Sequence, residues 1–160
     1  MNVVKNTNTI YGEIDIAEIK VDPKSRNEID RTIRVLQFSY INPELRKQVF
    51  ELLETELLPK LSKENGNPGL DLWEILVMGI LRQVCQWDYD RLQNMSNNHY
   101  TIRALMGRRS DSRGQNYYYE LHKIKNNVKL LTPDLLDKFN QIMLENGQKL
   151  FGNKKKVIYI

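Results

Sequence analysis

Eight residues have types and spacing suited to holding a polyanion: Arg91, Asn98, His99, Thr101, Arg103, Arg108, Arg109 and Arg113. An arginine guanidinium pairs with a phosphate or, bidentately, with the major-groove edge of guanine. Asparagine and threonine reach adenine and thymine edges in the same groove. These residues lie in the most basic part of the chain. From Arg82 to Lys129 there are nine basic residues (Arg82, Arg91, Arg103, Arg108, Arg109, Arg113, Lys123, Lys125, Lys129) and four acids (Asp88, Asp90, Asp111, Glu120). The excess of five exceeds the whole chain's formal charge of +4. Lys154, Lys155 and Lys156 make a second basic cluster. The competing reading of the arginines is a solvated face with local ion pairs, Asp88 or Asp90 with Arg91. For Asn97-Asn98 it is a turn and a helix cap.

Bond-making chemistry finds less support. The two histidines, His99 and His122, have no second ligand at metal spacing, and the single cysteine, Cys85, falls in an apolar run. No Ser-His-Asp or Cys-His grouping is legible. The expectation is a chain with no metal site, no cofactor and no small-molecule substrate, and not itself an enzyme. A single cysteine forms no internal disulfide, which suits a reducing compartment. Residues 1–10 lack the apolar core of a signal peptide. No apolar run reaches the roughly 18 to 20 residues of a membrane helix. A soluble, cytoplasmic protein that does not enter membranes is expected.

The elements that must position the arginines are helices. The 160 residues, 41% hydrophobic and 28% charged, fit one ordinary domain. Residues 1–28 are polar, with broken alternation at Ile10, Ile14, Ile16, Ile19 and Val21, and read as an extended arm or short strand. Ile29, Ile33, Leu36 and Phe38 suggest a helix over 29–40. Asn42-Pro43 starts another, with a stripe of Leu45, Val49, Leu52, Leu53, Leu57 and Leu61, and Pro59 is expected to kink or loosen its last turn. After the loop at 64–69, Asp71 and Glu74 have capping-box spacing, and Leu72 to Gln86 is apolar nearly all round, the signature of a central core helix. Trp73 and Trp87 belong to the core on this reading, and Gly79 admits a close neighbour. Asp88 caps a short segment through Met95, Asn97-Asn98 breaks it, and Gly107 closes a further segment, His99 to Met106. Residues 71–107 thus form a helix-turn-helix-like unit with His99 to Met106 as its reading helix.

Arg108 to Gln115 reads as a basic loop, and a helix is expected over 116–126. The run Tyr117-Tyr118-Tyr119 can stack on bases. Its commoner use is to pack two rings in the core and leave one exposed. Thr132-Pro133-Asp134 opens a last helix that Gly152 ends, and Lys156 to Ile160 is strand-like. The fold class expected is all-α, a bundle of five to seven helices. The organisation expected is an arm at 1–28, a helical domain at 29–152 and a basic linker at 153–160.

In their order, several pieces resemble the N-terminal domain of insertion-sequence transposases, in the ISNCY-type branch of the DDE transposases. They are Pro23-Lys24-Ser25-Arg26, Asn67-Pro68-Gly69, Leu72-Trp73-Glu74-Ile75-Leu76-Val77-Met78-Gly79-Ile80-Leu81-Arg82, Asp88-Tyr89-Asp90-Arg91-Leu92, Asn98-His99, Ile102-Arg103 and Met106-Gly107. Tyr117-Tyr118-Tyr119-Glu120-Leu121 and Leu131-Thr132-Pro133-Asp134-Leu135-Leu136-Asp137-Lys138 fit the same group. The resemblance spans about residues 10 to 150. It implies a two-part protein, in which the helical part binds the inverted repeats at the element's ends. A following RNase H-like domain then supplies three metal-holding acids. The expectation is that this chain stops before that domain, near the strand-like Lys156 to Ile160.

The function expected is sequence-specific binding of double-stranded transposon-end DNA. The alternative is a subunit-pairing module, possible as a homo-oligomer, with the helix from Pro43 to Ser62 as its surface. A third reading is a truncated repressor that competes for the ends.

Overall fold

Helix starts in this chain are set by side chains that take over backbone donors left without a partner in the first turn. In the computed structural model, which describes residues 16–64, 70–107 and 117–151, Asn27 accepts from the Ile29 amide at 2.8 Å and opens α1 (Glu28–Ile41). Asn42 accepts from the Leu45 amide at 3.1 Å and opens α2 (Pro43–Glu64). Pro43 sits at the first helical position, where its missing N–H costs nothing. A reciprocal capping box opens α3 (Leu72–Cys85): Asp71 accepts from the Glu74 amide at 2.8 Å, and Glu74 accepts from the Asp71 amide at 3.0 Å. Asp88 caps α4 (Tyr89–Asn98), His99 caps α5 (Tyr100–Met106), and Thr132 accepts from the Leu135 amide at the start of α7 (Pro133–Phe151). Only α6 (Leu121–Val128), preceded by Glu120, starts without a side-chain cap. The described residues hold these seven helices and no strand, so the fold is all-α.

The core is organised around α3. Every residue from Leu72 to Leu81 is buried, because α1, α2, α4, α5 and α6 all pack against it. Burial of each large aliphatic side chain is worth about 1.5–3 kcal/mol, so this helix makes the largest local contribution to cohesion. Trp73 is fully buried, with its ring centroid 4.8 Å from that of Tyr40, and its indole N–H donates to the Leu105 carbonyl at 2.8 Å. Trp87 is half-buried at the core edge. Gly79 admits the close neighbour expected of it: a Cβ there would collide with the Leu131 side chain. Leu45, Val49, Leu53, Leu57 and Leu61 bury the inner stripe of α2, which packs against α7 and its buried Leu135, Leu136, Phe139 and Met143. The α2 helix continues through Pro59 to Glu64. No helix among the described residues is long and apolar enough to cross a membrane.

Three segments differ from expectation. The α4 helix runs on through Asn97 and Asn98, where a break was expected, and ends at His99. Part of the supposed arm is docked. Ile16–Glu18 forms a 3-10 turn packed on α1 and α5, with Ile16 buried. The Gln37 carboxamide on α1 donates to the carbonyls of Ile16 (2.9 Å) and Ile19 (2.8 Å). One polar side chain therefore stands in for a β-ladder. Ile10 and Ile14 lie outside the described residues, as do Gly152 and the proposed linker at 153–160. The helix expected over 116–126 begins five residues later, at Leu121, and Tyr117 to Glu120 form a non-helical strap instead.

Candidate functional site

The connection between α3 and α4 is three residues long: Gln86, Trp87 and Asp88. Gln86 takes the left-handed conformation, with φ 56° and ψ 44°, and its amide donates to the Arg82 carbonyl. A non-glycine residue there costs roughly 1–2 kcal/mol. Asp88 then accepts from the Arg91 amide at 2.7 Å and starts α4. Asp88 is thus a cap, and no Asp88 or Asp90 ion pair with Arg91 forms. A helix, a three- to four-residue turn and a second helix is the connectivity of a helix-turn-helix unit, whose second helix enters the major groove.

In this unit the helix that follows the tight turn is α4, not α5. The α4–α5 connection is the single residue His99, whose Nδ1 accepts from the Ile102 amide at 3.3 Å. Ile102, Ala104, Leu105 and Met106 are buried. The His99–Met106 segment is mainly a core element. On α4, Leu92 and Ser96 point inward, whereas Asp90, Arg91, Asn94 and Asn98 are exposed.

The half-buried residues of α4 hold the strap. Asn97 donates to the Tyr119 carbonyl at 3.0 Å and accepts from the Tyr119 amide at 2.8 Å, so one carboxamide pairs with the backbone as a strand would. Gln93 donates to the same carbonyl and to the Tyr118 hydroxyl, each at 3.1 Å. The Tyr119 ring is buried and its hydroxyl donates to the fully buried Glu74 carboxylate at 2.6 Å. Arg103 donates to the Tyr117 carbonyl at 2.8 Å and lies 5.7 Å from the Tyr119 ring centroid. Tyr117 is half-buried edge-on to Tyr119, while Tyr118 is 62% exposed. The run thus packs two rings and exposes one, as its composition suggested.

Between α4 and the strap lies a cleft of about 320 Å³. Asp90, Asn94 and Asn98 line one side at helical i, i+4, i+8 spacing, and Tyr117 and Tyr118 line the other. Gln93, Asn97 and Arg103 complete it. The Asn98 amide donates to the Asn94 carbonyl of its own helix at 3.0 Å, whereas the side chains of Asp90 and Asn94 form no hydrogen bond among the described residues.

Of the expected site residues, the fold brings Asn98 and Arg103 to the same cleft. Arg91 is exposed on α4, and Asn98 is exposed at its end. His99 is a cap, and Thr101 is half-buried on α5. Arg103, expected as a DNA contact, donates to the backbone carbonyls of Ser96, Asn97 and Tyr117. Arg108, Arg109 and Arg113 lie outside the described residues. Of the remaining basic set, Arg82 stacks over the Tyr89 ring at 4.1 Å and Lys123 pairs with Glu120 at 3.6 Å. Lys125 is exposed on α6, which packs against α4, and Lys129 is exposed at its C-cap. Asp90, Gln93 and Asn94 were not anticipated, whereas Tyr118 belongs to the run expected to stack on bases or expose one ring. The four-residue steps of Asp90, Asn94 and Asn98 are the signal that points to them.

Burial and, secondarily, the Glu28 carboxylate push the Cys85 thiol up to about 11, so it is a poor nucleophile. Among the described residues no group of three or more His, Cys, Asp or Glu could hold a metal. No protein-family model, curated protein or solved structure matches the chain.

Proposed function

We propose that this chain is a double-stranded-DNA-reading domain of the insertion-sequence transposase kind, with α4 as its reading helix. The observation that carries the proposal is the unit of core helix, three-residue turn and α4, whose outer face presents Arg91, Asn94 and Asn98. These side-chain types suit base edges: arginine for guanine, asparagine for adenine. Lys125 on the neighbouring α6 and Lys129 at its C-cap are exposed and suited to phosphates, which fix register without reading sequence. The terminal inverted repeats of an insertion sequence are the DNA that the resemblance of the chain implies. The alternative pairing surface on α2 has less to offer, since its apolar stripe is covered by the chain's own helices.

The test is selection from a random-sequence duplex pool, followed by fluorescence anisotropy of the enriched duplex across a salt series. A recovered consensus, bound with a steep salt slope, supports the reading. Enrichment of no sequence together with weak, salt-insensitive binding overturns it.

A further inference from the structure

The cleft between α4 and the strap has a chemistry distinct from that of a groove-reading face. At about 320 Å³ it is at the small end of ligand sites, enough for one planar group and too small for a duplex. It offers no anion site. The carboxylate of Asp90 stands on its rim, and the Arg103 guanidinium faces the carbonyls of Tyr117, Ser96 and Asn97. What remains is a set of neutral amides, one acceptor-only carboxylate and an aromatic ring.

That ring is fixed in place although it is 62% exposed. Gln93 holds the Tyr118 hydroxyl, Arg103 holds the carbonyl of Tyr117, and Asn97 pairs with both backbone groups of Tyr119. The backbone on both sides of Tyr118 is therefore ordered before any ligand arrives, which removes part of the entropy cost of binding. In the same cleft the side chains of Asp90 and Asn94 make no hydrogen bond among the described residues.

We propose that this cleft takes one unpaired, amino-bearing nucleobase of a DNA strand, stacked on Tyr118 and read along its edge by Asp90. The inference rests on the DNA-binding reading above and adds a second site beside the duplex-reading face. Every base has a π-face for Tyr118. Selectivity comes from Asp90, which can only accept hydrogen bonds. Cytosine, adenine and guanine present an exocyclic amine to it. Thymine presents its single ring N–H between two carbonyls, which repel a carboxylate.

The experiment uses the intact chain and duplexes carrying a one-nucleotide bulge. With 2-aminopurine as the bulged base, binding quenches its fluorescence. Tyr118→Ala abolishes the quench, and Tyr118→Phe, which keeps the ring, retains it. In anisotropy titrations a dC, dA or dG bulge binds about tenfold tighter than an abasic bulge. A dT bulge gains less, and Asp90→Asn narrows the gap between dC and dT. Equal affinity for dC and abasic bulges, with no quench, overturns the inference and leaves the duplex reading standing if the unbulged duplex still binds. A quench without any affinity for unbulged duplex supports the cleft and overturns the duplex reading. Loss of both signals overturns both.

Discussion

Replacing Tyr119 by Phe removes one oxygen from the interior and leaves the ring. In the native chain that hydroxyl donates at 2.6 Å to a Glu74 carboxylate with no solvent exposure. A hydrogen bond to a buried charge is worth about 1.5–3 kcal/mol, since its loss also leaves an oxygen less well satisfied away from water. The bonds from Asn97 run to the Tyr119 backbone and survive the change, so a loss of about 2 kcal/mol is expected. Followed by far-UV circular dichroism, with a urea dependence of about 2 kcal/mol/M, the unfolding midpoint should fall by about 1 M. Tyr118→Phe is the control. Its hydroxyl is exposed and the change should stay within about 0.5 kcal/mol. Combining Tyr119→Phe with Glu74→Gln should reveal a coupling of about 1–2 kcal/mol. A Tyr119→Phe loss no larger than that of Tyr118→Phe would refute the view that Glu74 anchors the strap.

Gly79→Ala should destabilise the fold by about 1–3 kcal/mol, because overpacking against Leu131 outweighs the gain in helix propensity. Any rise in the unfolding midpoint contradicts this. At pH 8, iodoacetamide should alkylate Cys85 about 100-fold more slowly in the folded chain than in the unfolded one, from a thiol raised from 9.0 to about 11. The same shift means that the folded state holds its proton more tightly. Its contribution is complete below pH 9 and lost as pH rises from 9 to about 11, so the urea midpoint should decline across that window. Arg103→Ala should lower stability through the strap and leave the salt slope of DNA binding unchanged. Arg91→Ala should leave stability unchanged and reduce that slope by about 1. Reversed roles would undo the assignment of both arginines.

Helix starts were legible in the sequence because caps are local. Asn42, Asp71, Asp88 and Thr132 each satisfy an amide three residues ahead, and Gly107 ends α5 with φ 75°. The burial of α3 was legible from its unbroken apolar run. The strap was not, because its conformation is set from a distance. Asn97 is 22 residues from Tyr119, and Glu74 is 45 away. Local propensity favours a helix there, and those tertiary bonds override it. The engagement of Arg103 with the Tyr117 carbonyl follows from the same fold-back and was likewise not legible. Which of the two short helices turns a polar face outward was not legible either. That depends on packing against α6 and the strap, which the spacing of Asp90, Asn94 and Asn98 only hints at.

The most direct test of the account compares two variants on the selected duplex by anisotropy, Asn94→Ala on α4 and Thr101→Ala on α5, each against single-base substitutions in the consensus. The account predicts that Asn94→Ala weakens binding and relaxes preference at one position of the site by about 1–3 kcal/mol, while Thr101→Ala changes neither. Loss of base preference on replacing Thr101, with Asn94 silent, would return the reading role to α5 and contradict it.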